Sequence, residues 1–297
     1  MRAGAVSRGE PGTALILLAA VVLWASAFPI MKVLLSVMNP ASMVWGRMII
    51  ATIILLPFVL RGWKRAERRR GDIFWLLALA AFEPCLYFVL ESHALTLTSA
   101  SQAGMIVSVM PLMVALGGFV FFSEAITRRM ALGLVLSIAG VVGLTLAGEA
   151  SAAAPHPWAG NFLEFLAMAS AVGYVMLVKR MSPRYDIWFL TGFQMLVGAV
   201  FFTPGLFLSS GPGLEALLDP FHAALMVYLG IGVTVLAYAC YNIGISRLPA
   251  ARATAMLNLI PVFAVLISWL WLGERLNPVQ LAFATLAMSG VWLAQKG

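Results

Sequence analysis

From about residue 13 almost to the last residue, the sequence is a succession of apolar runs separated by short polar breaks. Each run approaches the ~20 residues that a helix needs to cross a bilayer. Within a membrane no water is available to the backbone, so every N–H and C=O must find a partner inside the protein, and the helix, whose bonds are internal, is the form such runs take. Composition agrees: 62% of the 297 residues are hydrophobic and 10% are charged, where soluble domains carry about 25% charged residues. An all-α integral membrane protein is predicted, with no room for a soluble domain.

Charged and Pro/Gly breaks divide the chain into ten predicted spans: 13–36, 41–60, 73–95, 98–122, 130–147, 160–179, 187–208, 222–246, 250–272 and 278–294. The first is too long for a signal-peptide core and no small-residue cleavage site follows it, so it is read as a retained span. Sixteen Lys and Arg residues fall on the side that includes the N-terminus, against Arg275 alone on the other, with Lys32 and Arg47 inside spans. That bias predicts cytoplasmic N- and C-termini in a bacterial-type inner membrane. It also gives the net charge of +7 a meaning as loop bias, so no nucleic-acid partner is expected. The partners expected are the lipid bilayer and a small-molecule substrate. Cys85 and Cys240 lie within apolar runs and are read as packing residues.

The chain resembles itself. Pro111 precedes Glu124 by thirteen residues, and Pro261 precedes Glu274 by thirteen, at an offset of 150; Gly140 meets Gly290 at the same offset. Earlier in each half the offset is 147, pairing Lys32 with Lys179, Arg47 with Gln194 and Pro57 with Pro204. Two units of five spans follow, residues 1–150 and 151–297. Five being odd, the second unit enters the membrane inverted, an arrangement that supplies inward and outward states around a midplane site in transporters.

The segments "LWASAFPIMK" (23–32), "WGRMIIA" (45–51), "TSASQAGMIVSVMPLMVALGGFVFFSE" (98–124) and "LPAARATAMLNLIPVFAVLISWLWLGE" (248–274) resemble the drug/metabolite transporter superfamily, specifically its EamA-type ten-helix exporters. The resemblance covers nearly the whole chain. It implies two inverted five-helix repeats around a central cavity, and export of small metabolites. Within the superfamily, length, polar residues of the third span and aromatic content resemble the bacterial aromatic amino acid exporters. Where that family often has a tryptophan equivalent to Trp24 in the second half, this chain has Ala171.

A carboxylate at mid-span costs roughly 2.5 to 3.5 kcal/mol and normally faces the bundle interior or a cavity. In the third span Glu83, Tyr87 and Glu91 are spaced four apart, predicting one polar stripe. Pro84 should open the helix beside Glu83. At an offset of 151 these residues match Thr234, Tyr238 and Asn242, with Tyr241 adjacent. The two stripes are expected to face each other and bind substrate, the carboxylates addressing an ammonium group or a coupling proton. Trp24, Tyr87, Tyr238 and Tyr241 offer stacking surface. Ser26, Gln102 and Asn258 are added as candidate cavity donors. Lys32, Arg47 and Glu91 sit at similar depth, about 6 to 10 Å below the outer surface at roughly 1.5 Å per helical residue. They are expected to form an ionic cluster, a gate or a permanent tie. His93 at a span end reads as interfacial, and Gly133 with Ser137 as a close helix contact. Glu124 and Glu274 read as loop-edge residues.

The function expected is alternating-access export of small amphipathic metabolites, foremost aromatic amino acids. The alternatives are export of drugs, organic cations or other metabolites, and a membrane-embedded enzyme. Three scattered histidines, and the absence of H-E-x-x-H and G-x-S-x-G, give catalysis little to rest on, and no metal or cofactor is expected.

Overall fold

A computed structural model of the chain describes residues 11–65, 69–122, 126–247 and 256–295. Among them the only regular secondary structure is helical, apart from one isolated bridge between Ser151 and Ala154. Eight helices are long and apolar enough to cross a membrane: α1 (Gly12–Leu35), α2 (Pro40–Lys64), α3 (Asp72–Leu97), α4 (Ala100–Phe121), α5 (Arg128–Leu146), α6 (Pro157–Met181), α7 (Ile187–Leu208) and α8 (Pro220–Tyr241). Two shorter apolar helices follow, α9 (Ile260–Leu272) and α10 (Pro278–Ala294). Each lies on a predicted apolar run. Of the predicted ninth span, residues 250–255 are outside the described residues, as are Glu124, Arg2, Arg8, Arg252 and Lys296.

Helix starts follow from local chemistry. Thr127, Asp186 and Asp219 accept hydrogen bonds from the backbone N–H of Met130, Trp188 and Phe221, satisfying donors that the first helical turn leaves unpaired. Pro157 and Pro220 occupy first-turn positions, where a missing N–H costs nothing. Asp72, buried at the start of α3, accepts from Arg184 Nη1 at 2.6 Å, Tyr185 OH at 2.9 Å and the Arg69 N–H at 2.8 Å. It thereby ties α3 to the turn between α6 and α7.

The central core joins Met31 and Leu34 of α1, Met43, Met48 and Leu55 of α2, and Leu229 and Val233 of α8. Large apolar side chains such as Ile53, Phe74, Phe121, Val135 and Leu270 point outward, as lipid-facing surfaces require. Gly133, Gly140 and Gly290 bring α5 and α10 into backbone contact. A Cβ on Gly140 would lie 2.5 Å from the Ala287 nitrogen and 2.7 Å from the Phe283 oxygen.

Two helices depart from regular winding. In α3 residues 81–86 form a π-helical turn in which Glu83 has φ −145° and ψ 119°, and the Glu83–Pro84 peptide is cis. Proline has no N–H to give to the preceding turn, so carbonyls there lose their helical partners. Side chains replace them: Ser170 Oγ donates to the Phe82 oxygen at 2.7 Å, and Gln194 Nε2 donates to the Glu83 oxygen at 2.5 Å. Irregular backbone at membrane depth is tolerated where protein groups satisfy it in this way. In α8 residues 228–236 are also π-helical, a form often found at functional positions.

Candidate functional site

The broken turn of α3 meets α8 just beyond its irregular turn. Freed from the α-helical register, Glu83 turns its carboxylate across the bundle, and the Tyr238 hydroxyl of α8 donates to its Oε1 at 2.8 Å. The Tyr238 ring stands edge-on to Trp24 of α1, centroids 5.4 Å apart at 83°, and Trp24 leans on Tyr241 at 5.3 Å. Such edge-to-face pairs are worth about 0.5 to 1.5 kcal/mol beyond their buried area. The result is a carboxylate with an aromatic wall beside it. Glu83 is buried, while Trp24, Tyr238 and Tyr241 keep part of their surface open. Tyr174 of α6 faces the same group.

One turn further along α3, Tyr87 OH donates to Glu91 Oε1 at 2.8 Å, and both side chains are largely withdrawn from solvent. Arg47 of α2 is 4% exposed. Its Nε donates to Thr234 Oγ1 at 3.2 Å and its guanidinium lies 4.3 Å from the centroid of the Phe88 ring. Glu91, Glu83, Tyr87 and Tyr238 are all within its electrostatic range. A desolvated cation over an aromatic face gains about 2 kcal/mol, which helps a guanidinium remain this deep.

A second polar cluster sits where α4, α5 and α6 meet. Asn161 donates to Gln102 Oε1 at 2.8 Å and to Thr145 Oγ1 at 3.1 Å, and accepts from Thr98 Oγ1 at 2.6 Å. Beside it lies the corner between α3 and α4. Lys32 Nζ donates to the Leu95 and Thr98 carbonyls at 2.5 and 2.6 Å, filling acceptors that the end of α3 leaves open. Glu274, from the loop between α9 and α10, accepts the N–H groups of Ala100 and Ser101 at 3.0 and 2.8 Å. A carboxylate at the positive end of α4 is favoured by the helix dipole. Lys32 and Glu274 are also within electrostatic range of each other.

The description "EamA-like transporter family" fits this sequence twice, over residues 12–146 and again over 158–295. The chain belongs to that family. An uncharacterised transporter of Archaeoglobus fulgidus is 26% identical over 95% of this chain and 96% of its own. A probable terminal-alkyne amino-acid exporter of Streptantibioticus cattleyicolor is 28% identical over 93% of this chain and 91% of its own. A solved crystal structure superposes with a TM-score of 0.63 over 96% of both chains at 18% identity, a likeness of fold. This EamA-like chain is therefore a multi-pass membrane transporter.

Several expected residues meet in one place: Trp24, Glu83, Tyr238 and Tyr241 in one group, Tyr87 and Glu91 directly beyond it. The single stripe through Glu83, Tyr87 and Glu91 is corrected. Pro84 takes Glu83 off the helical register, leaving Tyr87 and Glu91 as the in-register pair. The ionic cluster of Lys32, Arg47 and Glu91 divides: Arg47 and Glu91 stay within electrostatic range of each other, while Lys32 lies apart from them. Lys32 binds carbonyl oxygens near Glu274, Arg47 binds Thr234 and Phe88, and Glu91 binds Tyr87. Gln102 belongs to the Asn161 cluster. Ser26 donates to the Leu23 oxygen at 2.8 Å and shares a 2.8 Å hydrogen bond with Tyr228. Asn258 lies in a turn before α9, its Oδ1 buried and without a hydrogen-bond partner. The side chain of Asn242 is outside the described residues. His93 is exposed and bonds back to the Val89 oxygen of its own helix.

Sequence reasoning passed over two residues of α6, Tyr174 and Glu164. Glu164 lies in an apolar run about two turns from the start of α6, and its carboxylate there carries the same kind of signal that singled out Glu83.

Proposed function

We propose that this EamA-like transporter exports small amphipathic metabolites, foremost aromatic amino acids, across a bacterial-type plasma membrane by alternating access. The observation that carries this reading is the buried Glu83 carboxylate, bound by Tyr238, whose ring packs on Trp24, which in turn leans on Tyr241. The carboxylate would take the cargo's ammonium group, and the rings its apolar side chain. The amino-acid exporter among its relatives supports the same cargo class. The two family matches, 12–146 and 158–295, support a division into five-helix units 1–150 and 151–297, inverted with respect to each other around the site. The one-sided distribution of Lys and Arg supports cytoplasmic termini. A transporter role without catalysis rests on the family.

A second reading is favoured by the same aromatic wall. Aromatic faces around an anionic group also suit organic cations, so drug-like cations are the competing cargo. Reconstitution of the full chain into proteoliposomes, with uptake of a panel of labelled amino acids and one labelled quaternary ammonium compound, separates the two. Saturable uptake of Phe, Tyr or Trp supports the amino-acid reading; uptake of the ammonium compound alone replaces it.

A further inference from the structure

Glu164 lies one turn beyond Asn161 on α6, 0% exposed, and neither carboxylate oxygen has a hydrogen-bond partner. Its electrostatic neighbours are Glu91 and Tyr87 of α3. An ionised carboxylate withdrawn from water costs several kcal/mol unless it is paired and hydrogen-bonded. Glu164 has neither form of compensation. The species that fits this position is the neutral acid.

The charge balance around it points the same way. Helix α3 contributes Glu83, Tyr87 and Glu91; α6 itself contributes Tyr174; α8 contributes Tyr238; α2 contributes Arg47. The polar side chains that α4 and α5 bring towards α6 are Gln102 and Thr145, which do not titrate. Arg47 acts on Glu83 and Glu91, and its single positive charge neutralises one of them, whereas the neighbours of Glu164 are Glu91 and Tyr87. Glu83 and Glu91 each accept a tyrosine hydroxyl, whereas Glu164 accepts nothing.

We infer that Glu164, together with Glu91, forms a proton-binding site separate from the Glu83 and Tyr238 pair. One proton resides on the two carboxyl groups as an O–H bond of Glu164. When it leaves to water both carboxyl groups are negative within electrostatic range of each other, a state that an arriving cation relieves. Resting here on the proposed amino-acid cargo, an ammonium group entering beside Glu83 and Glu91 releases that proton, so cargo and proton occupy the site in turn. The arrangement is that of an exchanger of a cationic group for a proton.

Infrared difference spectra of the full-length protein, recorded between acidic and alkaline buffer, test this without any cargo. The wild type is expected to show a buried carboxylic-acid carbonyl band that vanishes on the alkaline side. Glu164→Gln removes that component, whereas Glu83→Gln leaves it. If Glu164→Gln does not yield a monodisperse protein, Glu164→Asp is expected to shift the band. A spectrum unchanged by both Glu164 variants, or a band that sodium abolishes at constant pH, overturns the inference. In proteoliposomes, an imposed pH gradient is expected to accelerate amino-acid uptake by the wild type and not by Glu164→Gln. A failure of every amino acid to be carried sinks the cargo reading and leaves the infrared result to decide the proton site.

Discussion

The Tyr238 hydroxyl reaches Glu83 Oε1 at 2.8 Å across 155 residues of sequence, so one hydrogen bond joins the broken turn of α3 to α8 just beyond its irregular turn. The carboxylate can make this bond because Pro84 releases Glu83 from helical geometry. The broken turn is stable because Ser170 and Gln194 satisfy its carbonyls from two other helices. Sequence, backbone exception and candidate cargo site are one causal chain.

Glu83→Gln keeps the shape and removes the charge. Hydrogen bonds to charged groups contribute about 1.5 to 3 kcal/mol, so KM for an ammonium-bearing cargo is expected to rise roughly 10- to 100-fold. Tyr238→Phe, which leaves the charge and removes only its orienting hydroxyl, is expected to have a smaller effect, roughly threefold to tenfold. Initial uptake rates over a range of cargo concentrations measure both. Unchanged kinetics for Glu83→Gln with every cargo would remove Glu83 from the site.

Lys32 and Glu274 clamp the corner between α3 and α4 from two directions. If alternating access requires this corner to open, weakening the clamp shifts the population towards the open state. Loss of a capping acceptor costs about 0.5 to 2 kcal/mol, so Glu274→Ala is expected to enrich the open state by roughly two- to thirtyfold. A cysteine placed at Thr96, labelled by a membrane-impermeant thiol reagent, should react faster in Glu274→Ala and in Lys32→Met than in the parent. Equal labelling rates would make the corner a permanent tie.

The sequence carried much of this arrangement. Apolar run lengths located the helices, and the seventh run coincides with α7 at 187–208. The Pro84 break and the partnership between the third and eighth runs were legible because proline chemistry is local and the internal offset aligned Glu83 with the Tyr238 region. The π-turn at 228–236 was not, since no proline marks it. Nor were the partners of Lys32 and Glu274: backbone groups at helix ends carry no side-chain signature, and which end lies nearby depends on how the helices dock. Glu164 lacked only attention to its place inside an apolar run, while its missing partners could be known only from packing.

Asn161 binds three side chains, one each from α4, α5 and the corner between α3 and α4. Asn161→Leu strands Gln102 and Thr98 in a dry environment, and each orphaned polar group costs about 1 to 3 kcal/mol. Thermal unfolding in detergent is expected several degrees below the parent. Adding Gln102→Leu should recover part of the loss, because the second substitution removes a group already left unsatisfied. A fully additive double variant would mean that the two side chains do not depend on each other.

The glycines between α5 and α10 yield the sharpest contrast in stability. A methyl group on Gly140 meets backbone atoms of Ala287 and Phe283, and one on Gly290 meets the Gly133 oxygen at 2.5 Å and the Ser137 nitrogen at 2.6 Å. Backbone cannot rotate aside as a side chain can, so the helices must separate, with an overpacking cost of about 1 to 3 kcal/mol. At Gly12, in the first turn of α1, a Cβ meets nothing within 4 Å, and alanine has the higher helix propensity. Gly140→Ala and Gly290→Ala are therefore expected to lower the unfolding temperature in lipid nanodiscs, and Gly12→Ala to leave it unchanged or raise it. If all three variants melt together, the close approach of α5 and α10 contributes nothing to holding the bundle closed.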